Sequence, residues 1–267
     1  MRSTRRSSAD GAAARAYVEV DGVTKVYNPG PSQIEAVSDV SFSLASGDFV
    51  SILGPSGCGK STLLMVVGGL EPATRGAVRI GGREVSGPRT ETGIIFQDPT
   101  LLPWKSVLDN VLFPVKIQHR ELAPYTERAL ELLRMVGLHP FRDKRPHQLS
   151  GGMKQRAAIC RALICDPDLL IMDEPFSALD AITRDELNVA LLDIWERHHK
   201  TGLFVTHSIR EAVFLSDRVL VMGLRPSRIV ADVPIPFPRP RDIRLQESAE
   251  FTRIAAMLRE HIESQHA

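Results

Sequence analysis

The sequence predicts an α/β fold: a mostly parallel sheet with helices around it, an N-terminal antiparallel β subdomain and an inserted α-helical subdomain. Three observations support this prediction. Apolar runs such as "FVSILG", "DLLIMDEP" and "GLFVTH" alternate with helical patterns, which is typical of buried parallel strands joined by crossover helices. Residues 17–49 instead alternate apolar and polar side chains, as half-buried antiparallel strands do. Beyond Gln97 the apolar residues follow helical spacing.

The first part of the chain is predicted to be rich in β structure. "YVEVDGVTKVY" and "VSDVSFSL" are predicted strands, with turns at residues 28–30 and 46–48. "FVSILG" is a short strand that enters a Gly-rich loop, and "STLLMVVGGL" follows as a helix. Two further β segments, "GAVRIGGREV" and "TGIIF", precede Gln97.

The remainder of the main domain is predicted from helical stripes and apolar strands. Pro124 and "YTERALELLRMVGL" indicate a helix that ends near Gly137, with Leu130, Leu133 and Val136 on one face. "DLLIMDEP" and "GLFVTH" are apolar strands, and "DELNVALLDIWERHH" between them is a predicted helix. The buried stripe of that helix is predicted to consist of Leu187, Leu191 and Ile194.

The two ends of the chain are predicted to lie outside the main domain. "PIPFPRPRD" has too many prolines to continue a sheet and predicts an extended connector. The basic N-terminus lacks the apolar stretch of a signal peptide, so we interpret it as a disordered tail rather than a targeting element. The final helix places Phe251, Ile254, Leu258 and Ile262 on one face, either for packing on this protein or a partner or, alternatively, for binding lipid. The predicted division is a tail at 1–16, a main domain at 17–235 with its helical subdomain at about 98–160, and a connector and helix at 236–267.

Composition places limits on the partners of this 267-residue chain. Thirty-three basic and 32 acidic residues give a formal charge of +1, which provides no overall field for nucleic acid, so no nucleic-acid partner is expected. Cys58, Cys160 and Cys165 have neither the density of a disulfide scaffold nor the spacing of a zinc site, which favours a reducing compartment. No apolar stretch approaches the length of a membrane-spanning helix.

The loop "GPSGCGKST" matches the phosphate-binding pattern GxxxxGK[ST] and lies between a predicted strand and a predicted helix. Glycines let backbone N–H groups point at phosphate oxygens, while the helix presents its positive end. Lys60 is expected to bridge the outer phosphates, Ser61 to bind Mg²⁺ and Thr62 to support the phosphates. The loop residues assigned to the nucleotide are Gly54, Pro55, Ser56, Gly57, Cys58, Gly59, Lys60, Ser61 and Thr62.

Polar residues also follow three other predicted strands. Asp173 and Glu174 end "LLIMDE"; Asp173 is the candidate for Mg²⁺, and Glu174 is the candidate general base. A solvated strand edge is the alternative. Gln97 follows "GIIF" and His207 follows "LFVT", and the carboxyl ends of parallel strands are where α/β proteins assemble sites. Asp180 closes "SALD" just beyond the two acids.

A second Gly-rich segment, "LSGGMKQR" at 149–156, completes a set of motifs that resembles the ATP-binding-cassette (ABC) ATPases. The phosphate loop, Gln97, this signature segment, "LLIMDE", "SALD" and His207 occur in that family's order over roughly residues 17–225. The resemblance implies a phosphate-loop NTPase core that binds ATP and Mg²⁺ and hydrolyses ATP as a head-to-tail homodimer. Each ATP would then contact the phosphate loop of one copy and the signature of the other.

The resemblance also implies roles for individual residues. Ser150, Gly151 and Gly152 would contact the γ-phosphate of the neighbour's ATP, with Asp180 facing the opposing subunit. Tyr27 would stack on adenine. Gln97 would sense Mg²⁺ and the attacking water, and His207 the γ-phosphate; these two and Glu174 form the predicted catalytic set, while Ser61, Gln97 and Asp173 form the predicted metal set.

Further segments resemble one branch of the family. "FQDPTLLPWKSVLDNV", "SALDAITR", "FVTHSIREAVFLSDRV" and "PRPRD" are similar to importer ATPases for nitrate, aliphatic sulfonates and taurine. This branch implies a peripheral protein on the cytoplasmic face of the bacterial inner membrane. Its implied partners are two integral-membrane permease subunits and a separate periplasmic solute-binding protein. Trp104, Leu101 and Leu102 are predicted either to dock a permease helix or to be core residues.

Two other functions are compatible with the nucleotide motifs. An exporter or lipoprotein-release ATPase would share the whole site, and only the branch-specific segments argue against it. A soluble cassette ATPase acting on DNA or ribosomes would need long coiled-coil insertions or a second cassette, and this sequence has neither. The resemblance to importer ATPases also implies that the transported solute does not contact this subunit.

Overall fold

A computed structural model describes residues 16–198 and 200–264. The predicted disordered tail lies outside the described residues except for Ala16, which is the first residue of a strand. Within the described residues the strands are β1 (Ala16–Tyr27), β2 (Ile34–Ala45), β3 (Phe49–Leu53), β4 (Arg75–Ile80), β5 (Arg83–Glu84), β6 (Thr92–Ile95), β7 (Leu169–Asp173), β8 (Thr201–Thr206), β9 (Arg218–Met222) and β10 (Ile229–Pro234). The helices are α1 (Lys60–Val67), α2 (Val107–Val111), α3 (Phe113–Ile117), α4 (Leu122–Met135), α5 (Gly151–Leu163), α6 (Ala181–His198), α7 (Ile209–Leu215) and α8 (Ala249–Glu263).

Two sheets enclose helix α1. The first is antiparallel, with the order β2-β1-β4-β5, and the second has the order β10-β9-β3-β8-β7-β6, in which only the pairing of β10 is antiparallel. Successive residues of the central strands face opposite sides, so Val50 and Ile52 pack toward α1 while Phe49 and Leu53 pack toward the helices on the other face. This arrangement confirms the predicted α/β fold with an N-terminal antiparallel β subdomain.

The region after Gln97 is helical, as predicted, and α2 to α5 pack together there. Helix α4 starts at Leu122 rather than Pro124, and its buried residues include Ala129 and Leu132, whereas Leu130 is only half-buried. Leu133 and Val136 are buried as predicted, but Leu130 is not, because the buried face follows the i, i+3, i+4, i+7 spacing of Ala129, Leu132, Leu133 and Val136.

The C-terminal segment packs back onto the same body. Pro234, the first residue of the predicted connector segment, still belongs to β10 and pairs with Arg218 of β9, whereas residues 235–242 form no strand or helix. Helix α8 then packs against α7 and β9. Phe251, Ile254 and Leu258 are buried in the core, which contradicts the lipid-binding alternative for this helix. The buried Arg241 guanidinium donates to the carbonyls of Phe214 (2.9 Å) and Ser216 (2.9 Å) at the end of α7, and burial lowers its pKa to about 10.

Candidate functional site

Apart from Tyr27, which ends β1 of the antiparallel sheet, the predicted site residues outside the signature and "SALD" segments lie at one edge of the large sheet. The phosphate loop follows β3, Gln97 follows β6, Asp173 and Glu174 close β7, and His207 follows β8. These four strands run parallel, so their carboxyl ends meet at the same edge. A cleft of about 330 Å³ opens there. Its lining consists of Ser56, Gly57, Gly59, Lys60, Ser61, Thr62, Gln97, Glu174 and Arg225, and we call it the phosphate cleft.

The phosphate loop folds as its glycines require. Gly59 has a φ of +119°, and a Cβ at this position would lie 2.6 Å from the carbonyl oxygen of Ala36. Helix α1 begins at Lys60, so the positive end of the helix faces the loop. The buried Lys60 ammonium donates to the carbonyls of Gly54 (3.0 Å) and Pro55 (2.9 Å), which fixes its position beneath the loop.

Glu174 lies between a cation and an imidazole. Its Oε1 is 3.3 Å from Nζ of Lys60, and its Oε2 is 2.7 Å from Nδ1 of His207. The backbone of Glu174 has a φ of +42°, a region that non-glycine residues rarely adopt, and its N–H donates to the carbonyl of Val205 at 2.9 Å. Such backbone strain costs about 1–3 kcal/mol and is often found at functional sites. The surrounding contacts therefore hold this carboxylate in one orientation.

Asp173 points at the hydroxyl of Ser61, which donates to its Oδ1 at 3.0 Å. Burial is the main cause that raises the pKa of Asp173; the charge of Glu174 adds to this effect, and the hydrogen bond from Ser61 opposes it. The hydroxyl and carboxylate oxygens fit Mg²⁺, which prefers such ligands together with water and substrate phosphates. No group of three or more His, Cys, Asp or Glu residues within the described ranges could hold a metal by itself.

Gln97 is connected to the segment that contains Glu174. Its Nε2 donates to Oγ of Ser177 at 3.1 Å, and that hydroxyl in turn donates to the carbonyl of Glu174 at 3.0 Å. The backbone just after Gln97 is held by Arg161 of α5, whose guanidinium donates to the carbonyls of Pro99 (2.7 Å) and Thr100 (2.8 Å). The sequence pattern did not single out Arg161, because nothing in a helical stripe reveals a contact with a distant loop.

The signature and "SALD" segments form a second group of site residues. Ser150 caps α5 by accepting from the N–H of Met153 at 3.3 Å, and both Ser150 and Gly151 are exposed. Gly152 is buried against α6, since a Cβ there would lie 2.7 Å from Cγ2 of Thr183. We call this group the signature face: Ser150, Gly151, Gly152 and Asp180.

Asp180 is fixed at the start of α6, beside the buried glycine of the signature face. It accepts hydrogen bonds from the backbone N–H (3.0 Å) and the hydroxyl (2.8 Å) of Thr183. These two bonds, the backbone one first, hold the pKa of Asp180 below its usual range. None of the four residues of the signature face lines the phosphate cleft described above.

Outside the signature face, four predicted nucleotide residues are not part of the cleft lining: Tyr27, Gly54, Pro55 and Cys58. Tyr27 is half-buried at the end of β1, with the ammonium of Lys25 4.9 Å from its ring centroid. Cys58 is buried beneath the loop, where its N–H donates to the carbonyl of Pro55 at 3.4 Å. Gly54 is packed against the backbone of Met222. These loop positions shape the turn rather than its surface.

Arg225 belongs to the cleft although no sequence pattern indicates it. It follows β9, and its guanidinium donates to the carbonyl of Gly57 in the phosphate loop at 2.7 Å. The contact arises because β9 pairs with β3, which brings the turn after β9 next to the loop after β3. The contact of Arg225 therefore follows from the order of the strands in the sheet, which a short sequence segment does not reveal.

Comparisons with known proteins identify relatives of the whole folded region. The family model described as "ABC transporter" matches residues 37–177. The taurine import ATP-binding protein TauB of Rhizobium johnstonii is 46% identical over 84% of this chain and 84% of that protein. The nitrate import ATP-binding protein NrtD of Synechococcus elongatus is 44% identical over 85% of this chain and 84% of that protein.

A solved structure is similar to this chain as well. It is a dimeric ATP-binding cassette in a post-hydrolysis state, bound to ADP and phosphate. The two chains superpose with a TM-score of 0.74 at 33% identity, and the match covers 83% of this chain and all of that one.

Proposed function

The chain belongs to the ABC transporter family, and from this premise we propose that it binds and hydrolyses ATP to drive the uptake of a small anion. The observation that supports the ATPase most directly is the contact series Lys60–Glu174–His207 at the phosphate cleft, with 3.3 Å and 2.7 Å between the charged or polar atoms. A carboxylate held in this way beside a phosphate loop can act on a water that attacks the terminal phosphate.

The residues of the cleft divide the chemistry among them. Backbone N–H groups of the loop and the ammonium of Lys60 bind the phosphates and compensate their charge. Glu174 accepts the proton of the attacking water, a role that contributes about 10²–10⁴ in rate. His207 contacts Oε2 of Glu174 and thereby orients the carboxylate. Ser61, Asp173 and Gln97 would hold Mg²⁺, which when bound neutralises charge on the phosphate oxygens.

Closure of the site is proposed to need a second copy of this chain. The signature face is exposed at Ser150 and Gly151 and lies apart from the lining of its own cleft. An exposed helix N-terminus without side chains at its glycines can approach a phosphate held by another subunit. The dimeric cassette bound to ADP and phosphate supports this assignment by similarity.

The importer assignment is supported by the relatives, which are named as taurine and nitrate import ATP-binding proteins. An aliphatic sulfonate such as taurine, or nitrate, is accordingly the proposed class of solute. The proposed partners are two membrane permease subunits and a periplasmic solute-binding protein, which would place the chain at the cytoplasmic face of the inner membrane. None of the described helices is long and apolar enough to cross a membrane.

The helical subdomain offers the proposed docking surface for the permease. The Trp104 side chain is 67% exposed, and Leu101 and Leu102 beside it are half-buried. The buried Asn110 stabilises this turn, because its amide donates to the carbonyls of Leu102 (3.2 Å) and Lys105 (3.3 Å). An exposed aromatic side chain on a rigid turn is typical of an anchor in a protein interface.

Growth tests can examine the proposed function. Deletion of the gene should abolish growth on taurine, an alkanesulfonate or nitrate as the sole sulfur or nitrogen source, and leave growth on sulfate plus ammonium unchanged. The parent gene should restore growth, whereas Lys60→Ala should not. Undiminished growth of the deletion strain on all of these sources would count against uptake of this class of anion.

Co-purification with the permease tests the docking surface. Trp104→Ala should lower recovery of the permease at least tenfold, because the anchor is removed while the buried Asn110 still holds the turn. Ile34→Ala is the matched control, since Ile34 is 42% exposed on the antiparallel sheet. Equal recovery with both variants would exclude this turn as the docking surface.

A further inference from the structure

We propose that the turn between β9 and β10, residues 223–228, positions the phosphate loop for nucleotide binding, with Ser227 and Arg225 as the positioning residues. This inference rests on the proposed binding of ATP at the loop. It adds a function to a segment that lies about 170 residues away from the loop in sequence and contains no nucleotide motif.

Ser227 is fixed independently of the phosphate loop. It is fully buried, its N–H donates to the carbonyl of Ala36 at 3.3 Å, and its own carbonyl accepts from the N–H of Ser38 at 3.0 Å. These bonds attach the turn to strand β2. The hydroxyl of Ser227 then donates to the carbonyl of Cys58 in the phosphate loop.

Arg225 makes the second contact, one residue earlier in the loop. Its guanidinium donates to the carbonyl of Gly57 at 2.7 Å, and its exposed side chain forms part of the wall of the phosphate cleft. Two successive carbonyls of the loop therefore accept hydrogen bonds from this turn.

The planar peptide bond converts these contacts into an orientation of the loop amides. The C=O and N–H of a trans peptide unit point in opposite directions, so holding a carbonyl also aims the N–H of the next residue. With the Cys58 carbonyl directed at Ser227, the N–H of Gly59, a residue that lines the cleft, points away from the Ser227 hydroxyl. This N–H is one of the donors that a phosphate-binding loop requires.

Glycines make such external support necessary. Gly57 (φ +75°) and Gly59 (φ +119°) occupy backbone regions that glycine enters easily and also leaves easily. When a ligand must order a flexible loop, the free energy of ordering reduces the favourable free energy of binding. Contacts that order the loop beforehand therefore increase the affinity. The turn supplies these contacts before any nucleotide is bound.

Equilibrium binding of ATP and ADP to the purified chain tests the proposal. Ser227→Ala and Arg225→Ala should each weaken both nucleotides about tenfold, which corresponds to about 1.4 kcal/mol. Arg225→Lys, which retains a donor and the charge, should recover part of the loss. Arg228→Ala is the matched control, because it removes the same charge from the same turn, but its guanidinium contacts Ser38 at 3.4 Å rather than the loop.

A second readout separates positioning from a general loss of structure. In the nucleotide-free chain, amide hydrogen exchange of Cys58, whose N–H donates to the carbonyl of Pro55 inside the loop, should accelerate in Ser227→Ala while the amides of the central strand β3 keep their protection. KM for ATP should rise with little change in kcat, because the loop binds the phosphates while Glu174 performs the proton transfer. Arg225 is exposed, so Arg225→Ala remains informative even if Ser227→Ala folds poorly.

The outcomes that would overturn the proposal are distinct from failure of the proposed function. Parent-like binding of ATP by Ser227→Ala and Arg225→Ala would refute a positioning role while ATP binding itself stands. An equal loss of affinity in Arg228→Ala and Arg225→Ala would indicate a general charge effect and also refute it. A parent chain that does not bind ATP at all would instead reject the proposed function.

Discussion

The phosphate cleft and the signature face differ in how much of their environment this chain supplies. In the cleft, Glu174 contacts both Lys60 and His207, and Ser61 contacts Asp173. On the signature face, Ser150 and Asp180 make only local bonds that cap their own helices, and both are exposed. The side chains of the cleft therefore have partners within the cleft, whereas the polar groups of the signature face are exposed at the surface.

This difference indicates which part of the chemistry a single copy can perform. The phosphate loop, the acid pair and the histidine are already assembled, so one copy should bind nucleotide. The signature face has the donors for a phosphate but lies apart from its own cleft, so it should serve the site of a second copy. Hydrolysis should therefore depend on both regions, whereas binding should depend on the first alone.

The largest expected effect comes from Glu174→Gln. The amide keeps the shape of the side chain but cannot accept the proton, so turnover should fall by about 10²–10⁴ while ATP binding persists. Size-exclusion chromatography should detect an ATP-bound dimer that accumulates because hydrolysis no longer opens it. Glu131→Gln, at an exposed position of α4, is the control and should match the parent. Retained turnover in Glu174→Gln would remove Glu174 as the base.

The next effect tests the signature face. Ser150→Arg should leave ATP affinity of the isolated chain within about twofold of the parent, because the residue does not line the cleft. Turnover and ATP-dependent dimerisation should be lost, since a large side chain at this exposed position blocks approach of the second copy. Ser150→Ala provides a milder comparison, because it adds no bulk and removes only the hydroxyl, which caps the helix, a cap worth about 1 kcal/mol, and which is proposed to face the neighbour's phosphate.

A mixing experiment sharpens the comparison. Lys60→Ala disables the phosphate cleft, and Ser150→Ala weakens the signature face without adding bulk that would block the second copy, so each variant alone should lose activity. A mixed dimer contains one site with an intact cleft from one copy and an intact signature face from the other. Activity should therefore reappear on mixing. Two variants that stay inactive together would contradict a site shared between copies.

The sequence predicted the cleft better than its surroundings, for a physical reason. The motifs at Lys60, Glu174 and His207 follow apolar strands that are neighbours in the sheet, and parallel strands bring their carboxyl ends together, so the α/β fold was predicted and is confirmed. The family was predicted from the resemblance of the motifs and is confirmed as well. Arg161 and Arg225 were missed because their partners are backbone carbonyls of distant loops, which impose no residue pattern. The domain boundaries and the individual catalytic roles stay predictions.

The smallest expected effect is the change in Tm of the nucleotide-free chain when an aspartate is replaced by asparagine. The sign of this change differs between the phosphate cleft and the signature face. Burial raises the pKa of Asp173 in the folded chain, so the fold favours the protonated acid. The stability associated with that proton is fully present below the unfolded pKa and is lost as the pH rises through the folded value. At neutral pH the ionised Asp173 is therefore a net cost, and Asp173→Asn should raise Tm by a few degrees, with the gain vanishing toward about pH 4.

Asp180→Asn is the matched test on the signature face and should act in the opposite direction. Its hydrogen bonds from Thr183 lower the pKa of Asp180, so the ionised acid contributes stability above the unfolded pKa. Thermal melts at neutral pH should show a small decrease in Tm for Asp180→Asn, and this difference should disappear as the pH falls through the folded pKa. Changes in Tm of opposite sign would mean that the Asp173 carboxylate destabilises the nucleotide-free fold and is retained for cation binding, whereas the Asp180 carboxylate stabilises α6. Changes in Tm of the same sign would contradict that distinction.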